Sequence, residues 1–302
     1  MTTIDRRAFL GSATALAAVA ALRPRPATAA GGMKKAVYIT MLPKELGYRD
    51  RFQMALDVGF EGIEMRTITD AAVAAEIKDA SAKTGLEIHS VMNTAHWKFP
   101  LSSADPEVVA KSVAGMEASL RNAELWGADS VLLVPAIVDP ETSYKDAWTR
   151  SQRVIRERIL PLAQELKVVV GIEEVWNKFL LSPLEMVRYV DDFASPYIKA
   201  YLDVGNVLFY GYPQDWARTL GPRIFRVHIK DFKLDRANGT FEWKNLGEGD
   251  MDWPEVRKAL GEVGYDGWVT TEIRGGDTAY LKDVVARFDR FLAGQKPVAP
   301  AA

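Results

Sequence analysis

Residues 168–174 read Val168-Val169-Val170-Gly171-Ile172-Glu173-Glu174, an apolar, β-branched run that ends abruptly in charge. A strand covered on both faces loses the alternation of polar and apolar residues, so such a run predicts a strand of a parallel sheet. The same construction recurs at 200–204 with Asp203, at 224–230 with His228 and at 268–273 with Glu272. Upstream it recurs at 36–40, 62–66, 86–92 and 130–135. Amphipathic segments lie between the runs, among them 106–126, 144–166 and 254–263, and Asp70, Asp105, Ser182 and Asp252 stand where N-caps belong. Strand then helix, eight times over, predicts an α/β fold of one (β/α)8 TIM barrel. An open doubly wound sheet is the competing arrangement, but no G-x-G-x-x-G turn follows the first strand and nothing marks a second domain. The barrel is expected over residues 34–292, followed by a flexible tail at 293–302.

The composition narrows the chemistry. Thirty-eight Lys and Arg against 40 Asp and Glu give a formal charge of −2, which leaves no broad basic field for a phosphate backbone and argues against nucleic acid. The absence of Cys removes thiolate nucleophiles, thiolate metal sites and disulfides at once. Only His89, His96 and His228 supply imidazole, so a bound metal must be held mostly by oxygen.

Residues 1–29 read as an address. Arg6-Arg7 precedes an apolar run of 14 residues, Phe9 to Leu22, and Ala27-Thr28-Ala29 supplies small residues for cleavage. This resembles a twin-arginine export signal, implying the export machinery as a transient partner and a periplasmic destination. The run is shorter than the roughly 20 residues of a membrane-spanning helix, so no permanent anchor is expected. The segment carries four Arg and one Asp, and its removal takes the formal charge from −2 to −5.

Barrel enzymes place their chemistry at the C-terminal ends of the strands. Glu173 with Glu174, Asp203, His228 and Glu272 stand at four successive strand ends, where buried carboxylates repel one another unless a cation joins them. A divalent ion resolves that conflict, and oxygen ligands with one imidazole suit Mn2+, Mg2+ or Co2+. Side chains alternate along a strand, so only one of Glu173 and Glu174 points into the site.

Ile172-Glu173, the segment from Tyr201 to Asn206, the segment from Val227 to Asp231, Leu246-Gly247-Glu248-Gly249 and Thr271-Glu272-Ile273 follow the order seen in a known superfamily. In these motifs the chain resembles the sugar phosphate isomerases/epimerases, the xylose isomerase-like TIM barrels. It looks nearest to the branch of ketose 3-epimerases and L-xylulose 5-phosphate 3-epimerases. The resemblance implies Glu173, Asp203, His228 and Glu272 as ligands of one divalent ion, Mn2+ foremost, with Glu173 and Glu272 as the catalytic acid/base pair. It implies isomerisation or epimerisation of a sugar or keto sugar through a metal-stabilised enediolate. Relatives with the same site also act as lyases, so elimination from a 3-keto glycoside is the alternative. A catalytically silent, exported sugar-binding protein is the alternative outside enzymes, but it has no use for four metal-type ligands. Relatives that cleave DNA need many histidines on a cationic groove, which this chain lacks.

Further residues are candidates for contact with the sugar. His89 ends the third strand, His96 follows it, and Trp176 after the fifth strand offers a stacking face. Lys230 either screens the carboxylates or holds an anionic group, Asp231 is expected to orient His228, and Glu248 sits between two glycines near the mouth. Glu64 ends the second strand, with Arg66 or a helix as its simplest partner. Arg274 with Gly275-Gly276 is a candidate anion nest, yet an exported enzyme meets free sugars, glycosides or oxidised sugars more readily than phosphates. Association into a homo-oligomer is left open by the sequence.

Overall fold

The computed structural model describes residues 32–299. The expected export segment 1–29, and residues 300–302 of the expected tail, lie outside the described residues. Eight parallel strands form the barrel: β1 Lys34–Tyr38, β2 Gly62–Arg66, β3 Glu87–Met92, β4 Ser130–Leu133, β5 Val169–Glu173, β6 Ile198–Asp203, β7 Ile224–Ile229 and, after a hairpin of β8 Asp231–Asp235 and β9 Thr240–Lys244, β10 Trp268–Thr271. They close in the order β1-β10-β7-β6-β5-β4-β3-β2. Their ends differ from the apolar runs by a residue or two because ladder hydrogen bonds, not apolarity, terminate a strand. Ile39–Met41 leaves β1 as a 3-10 turn, and Val204 leaves β6 to begin a short helix.

Helices wrap the barrel, and the expected caps are in place. Asp70 accepts from the Ala72 and Val73 amides, Asp105 from Glu107, Ser182 from Glu185 and Asp252 from Glu255. Each satisfies amide groups that a helix start leaves unpaired, contributing about 1 kcal/mol. Helix Pro106–Trp126 buries Val113, Met116, Leu120 and Ala123, a spacing of three and four that keeps one stripe against the sheet. The segment expected as one helix at 144–166 has a π-helical turn, Ile155–Ile159, between helices Tyr144–Val154 and Leu160–Leu166. Pro161 explains the break: it has no N–H to donate, and its ring would clash with the carbonyl four residues back.

The barrel interior is more polar than apolar strand runs suggest. Near the N-terminal ends, Arg226 reaches the Asp129 carboxylate and the His89 carbonyl, and His89 stacks on Trp268 with ring centroids 4.9 Å apart. Higher up, Glu64, Ser90, Tyr201 and His228 pack together fully buried. Polar side chains persist inside a barrel when they satisfy one another, as Glu64 does for Ser90 Oγ, Tyr201 OH and His228 Nε2.

β8 Asp231–Asp235 and β9 Thr240–Lys244 pair antiparallel beside the mouth, a hairpin not anticipated from the sequence. Asp231 holds the following loop: its Oδ2 accepts from Gly247 N at 3.0 Å, Gly249 N at 3.1 Å and Trp253 Nε1 at 3.0 Å. Gly247 has φ 85°, a left-handed conformation that other residues adopt only under strain. Beyond helix Thr278–Leu292, Arg290 donates to the Lys296 carbonyl at 3.2 Å and Pro297 is buried. No helix among the described residues is long and apolar enough to cross a membrane.

Candidate metal centre at the barrel mouth

The closed barrel carries Glu173 to the end of β5, Asp203 to the end of β6, His228 into β7 and Glu272 just past β10. One donor atom from each lies within 4.8 Å of all the others. Asp203 is aimed by its own turn: as N-cap of helix Val204–Leu208 its Oδ1 accepts from Gly205 N at 2.8 Å and Asn206 N at 3.0 Å. That leaves Oδ2 for the site. Gly205 is required there because a Cβ would stand 2.1 Å from Cγ of Lys230, whose stem crosses that residue.

His228 is aimed from below. Its Nε2 lies 2.5 Å from Oε2 of Glu64, while Oε1 of Glu64 accepts from Tyr201 OH at 2.8 Å and Ser90 Oγ at 2.9 Å. His228 gives its Nε2 proton to Glu64 and turns Nδ1 upward, where a bound cation would take the place of a proton; without one, burial works to lower its pKa but Tyr201, Glu64, Glu173 and Glu272 outweigh it and raise it well above the ordinary value. Nδ1 stands 3.3 Å from Glu173, 3.8 Å from Asp203 and 3.4 Å from Glu272. The expectation that Asp231 orients His228 is therefore corrected. Asp231 is spent on the 247–253 loop, and Glu64, for which Arg66 was the simplest partner, performs that task.

Two of the converging atoms, Glu173 Oε1 and His228 Nδ1, are buried without a hydrogen-bond partner. Lys230 Nζ lies 2.7 Å from Asp203 Oδ2 and 2.7 Å from Glu272 Oε2, so one lysine faces three carboxylates. Buried, unpartnered oxygen and nitrogen lone pairs aimed at one point are what a divalent cation requires, and the donor set fits it.

The carboxylates differ in character. Burial pushes Glu173 up to about 7, against the opposing pull of His228. Burial also works on Glu272, but the charges of Lys230 and His228 outweigh it and hold that carboxyl well below its usual range. Glu174 points elsewhere, as the strand period demands. Both its oxygens are buried without partners, and burial, reinforced by Asp203 and Glu173, pushes it up to about 10.

Of the expected sugar contacts, Trp176, Lys230 and Glu248 line cavities at the mouth. Glu248 also pairs with Arg287 at 2.8 Å. His89 does not reach the mouth: its Nε2 bonds Thr270 Oγ1 at 3.0 Å low in the barrel, and burial holds its pKa well below the usual value. His96 is buried as well, with Nδ1 accepting from Val134 N at 3.3 Å. Of the expected anion nest, Gly276 is otherwise engaged and Arg274 is exposed. Gly276 N–H donates to the Met41 carbonyl at 3.2 Å, and the Asp277 carboxylate already caps the next helix. Sequence reasoning named Glu64 without its role and missed Tyr201 and Trp243. A glutamate at the end of an apolar strand was the one available signal for Glu64, whereas nothing local marks Trp243.

Fold and site together define a (β/α)8 barrel with a carboxylate–imidazole cluster at its catalytic end. The chain belongs to the xylose isomerase-like TIM barrel family, whose sequence profile matches residues 52–290. It is 26% identical over 245 residues to an L-ribulose-5-phosphate 3-epimerase of Escherichia coli O1:K1 / APEC, covering 76% of this chain and 84% of that protein. Among solved structures, a D-tagatose 3-epimerase-like protein superposes with a TM-score of 0.73 at 18% identity, covering 86% of this chain and 97% of the other. A D-psicose 3-epimerase crystallised in the presence of D-fructose gives 0.70 at 22% identity, covering 87% and 100%.

Proposed function

We propose that the chain is a divalent-metal-dependent 3-epimerase of a keto sugar. In this reading Glu173, Asp203, His228 and Glu272 hold one ion, Mn2+ in preference to Mg2+ or Co2+ for a three-oxygen, one-nitrogen set. The observation that carries the reading is the convergence of four donors, two of them buried with no hydrogen-bond partner, at the floor of an open cleft. Relatives of similar length named as sugar 3-epimerases favour inversion at C3 over aldose–ketose isomerisation. When bound, a divalent ion supplies Lewis-acid polarisation of the sugar carbonyl and its neighbouring hydroxyl.

The chain's own part is proton transfer. Glu173 and Glu272 are the two carboxylates placed to carry it, with Lys230 Nζ 2.7 Å from Glu272 Oε2. They come from β5 and the end of β10, separated around the wall by β6 and β7, and so approach a bound sugar from different sides. One carboxylate removes the C3 proton, and the other returns a proton from the opposite side. Trp176 and the hairpin shield the site from water on one flank.

Solvent exchange tests this. Mn2+-loaded protein in D2O is expected to place deuterium at C3 of a ketose and to yield both C3 epimers. EDTA should stop the exchange and Mn2+ restore it. An elimination product would assign a lyase instead, and sugar binding without any exchange would assign a binding protein.

We also propose that the mature protein acts outside the cytoplasm. The support is the Arg6-Arg7 pair, the 14-residue apolar run and the small residues at 27–29. Changing both arginines to lysine should hold the precursor in the cytoplasm, and undiminished export would overturn the assignment.

A further inference from the structure

Two cavities share the indole of Trp243. The smaller, about 280 Å3, lies over the carboxylate cluster and is lined by Trp97, Trp176, Glu173 and Glu272. The larger, about 730 Å3, runs from the hairpin toward Arg274 and Tyr280. Lys230, Trp243 and Glu272 line both, so the two are rooms of one cleft. We propose that the substrate is an uncharged keto sugar carrying a second glycosyl ring. Its reacting ring occupies the smaller room and its second ring the larger one, against Trp243. This rests on the sugar-epimerase reading of the cluster and adds to it the class of substrate.

Size is the first argument. Ligand sites run from about 300 to 1,000 Å3, so the smaller room suits one small ring and the larger, more than twice its volume, goes unused by a lone ketose. Aromatic surface is the second. Trp243 is 52% exposed and Trp97 56% exposed. Trp176 stacks on Trp243 at 5.4 Å and 8°, and Trp176 lines only the smaller room. The larger room therefore meets the part of the Trp243 indole that Trp176 leaves open. The C–H face of a pyranose is apolar and covers such an indole, while its hydroxyls reach the polar rim.

Charge is the third argument, and it decides against a phosphate. Around the larger room Lys230, Lys244 and Arg274 stand against Glu242, Glu248 and Glu272, three of each sign. Lys230 is taken by Asp203 and Glu272, and Lys244 by Glu242 at 2.6 Å. Among the described residues only Arg274 of these cations has no ion pair, and the Gly276 amide beside it is given to Met41. A dianion needs a clear excess of donors. Sugar hydroxyls, which both donate and accept, match a lining of mixed sign.

The test is a fluorescence titration of the Mn2+-loaded full chain with fructose, fructose 6-phosphate, and the glucosyl-fructoses maltulose, leucrose and isomaltulose, with C3 deuterium exchange followed in parallel. At least one disaccharide is expected to bind ten times more tightly than fructose, and the phosphate no more tightly than fructose. Trp243→Ala should reduce the disaccharide-to-fructose preference to within about twofold. Arg274→Ala, at an exposed position whose loss leaves the fold intact, should weaken disaccharide binding about three- to tenfold by removing hydrogen bonds. Fructose binding as tightly as every disaccharide, tighter binding of the phosphate, or an unchanged preference in both variants would overturn the proposal. Disaccharide binding with the expected preference but no exchange would overturn the epimerase reading and leave the second-ring site standing.

Discussion

Glu64 is buried beneath the cluster, faces no cavity, and should nevertheless control how tightly the site holds metal. Its carboxylate receives three buried donors, His228 Nε2 at 2.5 Å, Tyr201 OH at 2.8 Å and Ser90 Oγ at 2.9 Å. In Glu64→Gln the amide oxygen still accepts from His228, and the amide nitrogen donates to the Tyr201 and Ser90 hydroxyls, which can also accept. The fold should survive, but the imidazole loses an anionic partner that raises its basicity. Replacing such a partner lowers metal affinity about 10–100-fold, or about 1.4–2.8 kcal/mol. Glu64→Ala does more damage. It strands three buried donors at about 1–3 kcal/mol each, so at least about 3 kcal/mol is lost even without metal, and the melting midpoint should fall by roughly 6–12 °C for a chain of this size.

The assay is calorimetric Mn2+ titration combined with melts in EDTA and in saturating Mn2+. Glu64→Gln should melt near wild type in EDTA and gain less from added metal, each tenfold loss of affinity removing about 1.4 kcal/mol of that gain. Wild-type Mn2+ affinity in Glu64→Gln would show that the Glu64–His228 bond does not tune the site.

Three further outcomes are expected. Asp203→Ala should lose Mn2+ binding while remaining folded, since strand-end ligands serve the site more than the core, and full metal retention by calorimetry would remove Asp203 from the ligand set. Glu173→Gln and Glu272→Gln should each slow turnover by about 10²–10⁴ with metal confirmed by elemental analysis, and near-normal turnover in both would move proton transfer to another group. His96 is pushed down to about 3 by burial from an ordinary 6.5, so the folded chain holds it neutral and the stability this provides is lost as pH falls from 6.5 toward 3. The loss amounts to about 2 kcal/mol at pH 5. His96→Asn, whose Oδ1 can still accept from Val134 N, should flatten that limb in denaturant titrations at pH 7 and pH 5, and an unchanged pH slope would contradict the assignment.

The barrel was legible because its information is local. An apolar run such as 168–172 can be buried on both faces only in a covered parallel sheet, and caps such as Asp105 and Ser182 act on amides two or three residues away. Strand ends carrying Glu173, Asp203, His228 and Glu272 become neighbours once the topology is a closed barrel, so the cluster followed from the fold. That only one of Glu173 and Glu174 enters the site was also local, because alternation along one strand sends them to opposite sides; which of the two came from the resemblance carried by Ile172-Glu173.

What supports and shapes that cluster depended on pairings across the barrel, which no sequence spacing announces. Glu64 meets His228 from 164 residues away and Tyr201 from 137, with nearby Arg66 an equally plausible partner on paper. His89 stood at a strand terminus in the sequence, yet it lies low in the barrel, where Thr270 and Trp268 meet it. Asp231, three residues from His228, turned instead to a loop of glycine amides and the Trp253 indole. Trp243 became part of the mouth only because the hairpin lays it on Trp176. The sequence by itself determined which strands exist and which charges end them, since backbone hydrogen bonding and burial act along a few residues. Tertiary structure decided which buried polar group answers which, because a donor without water must take whichever acceptor the closed wall brings within about 3 Å.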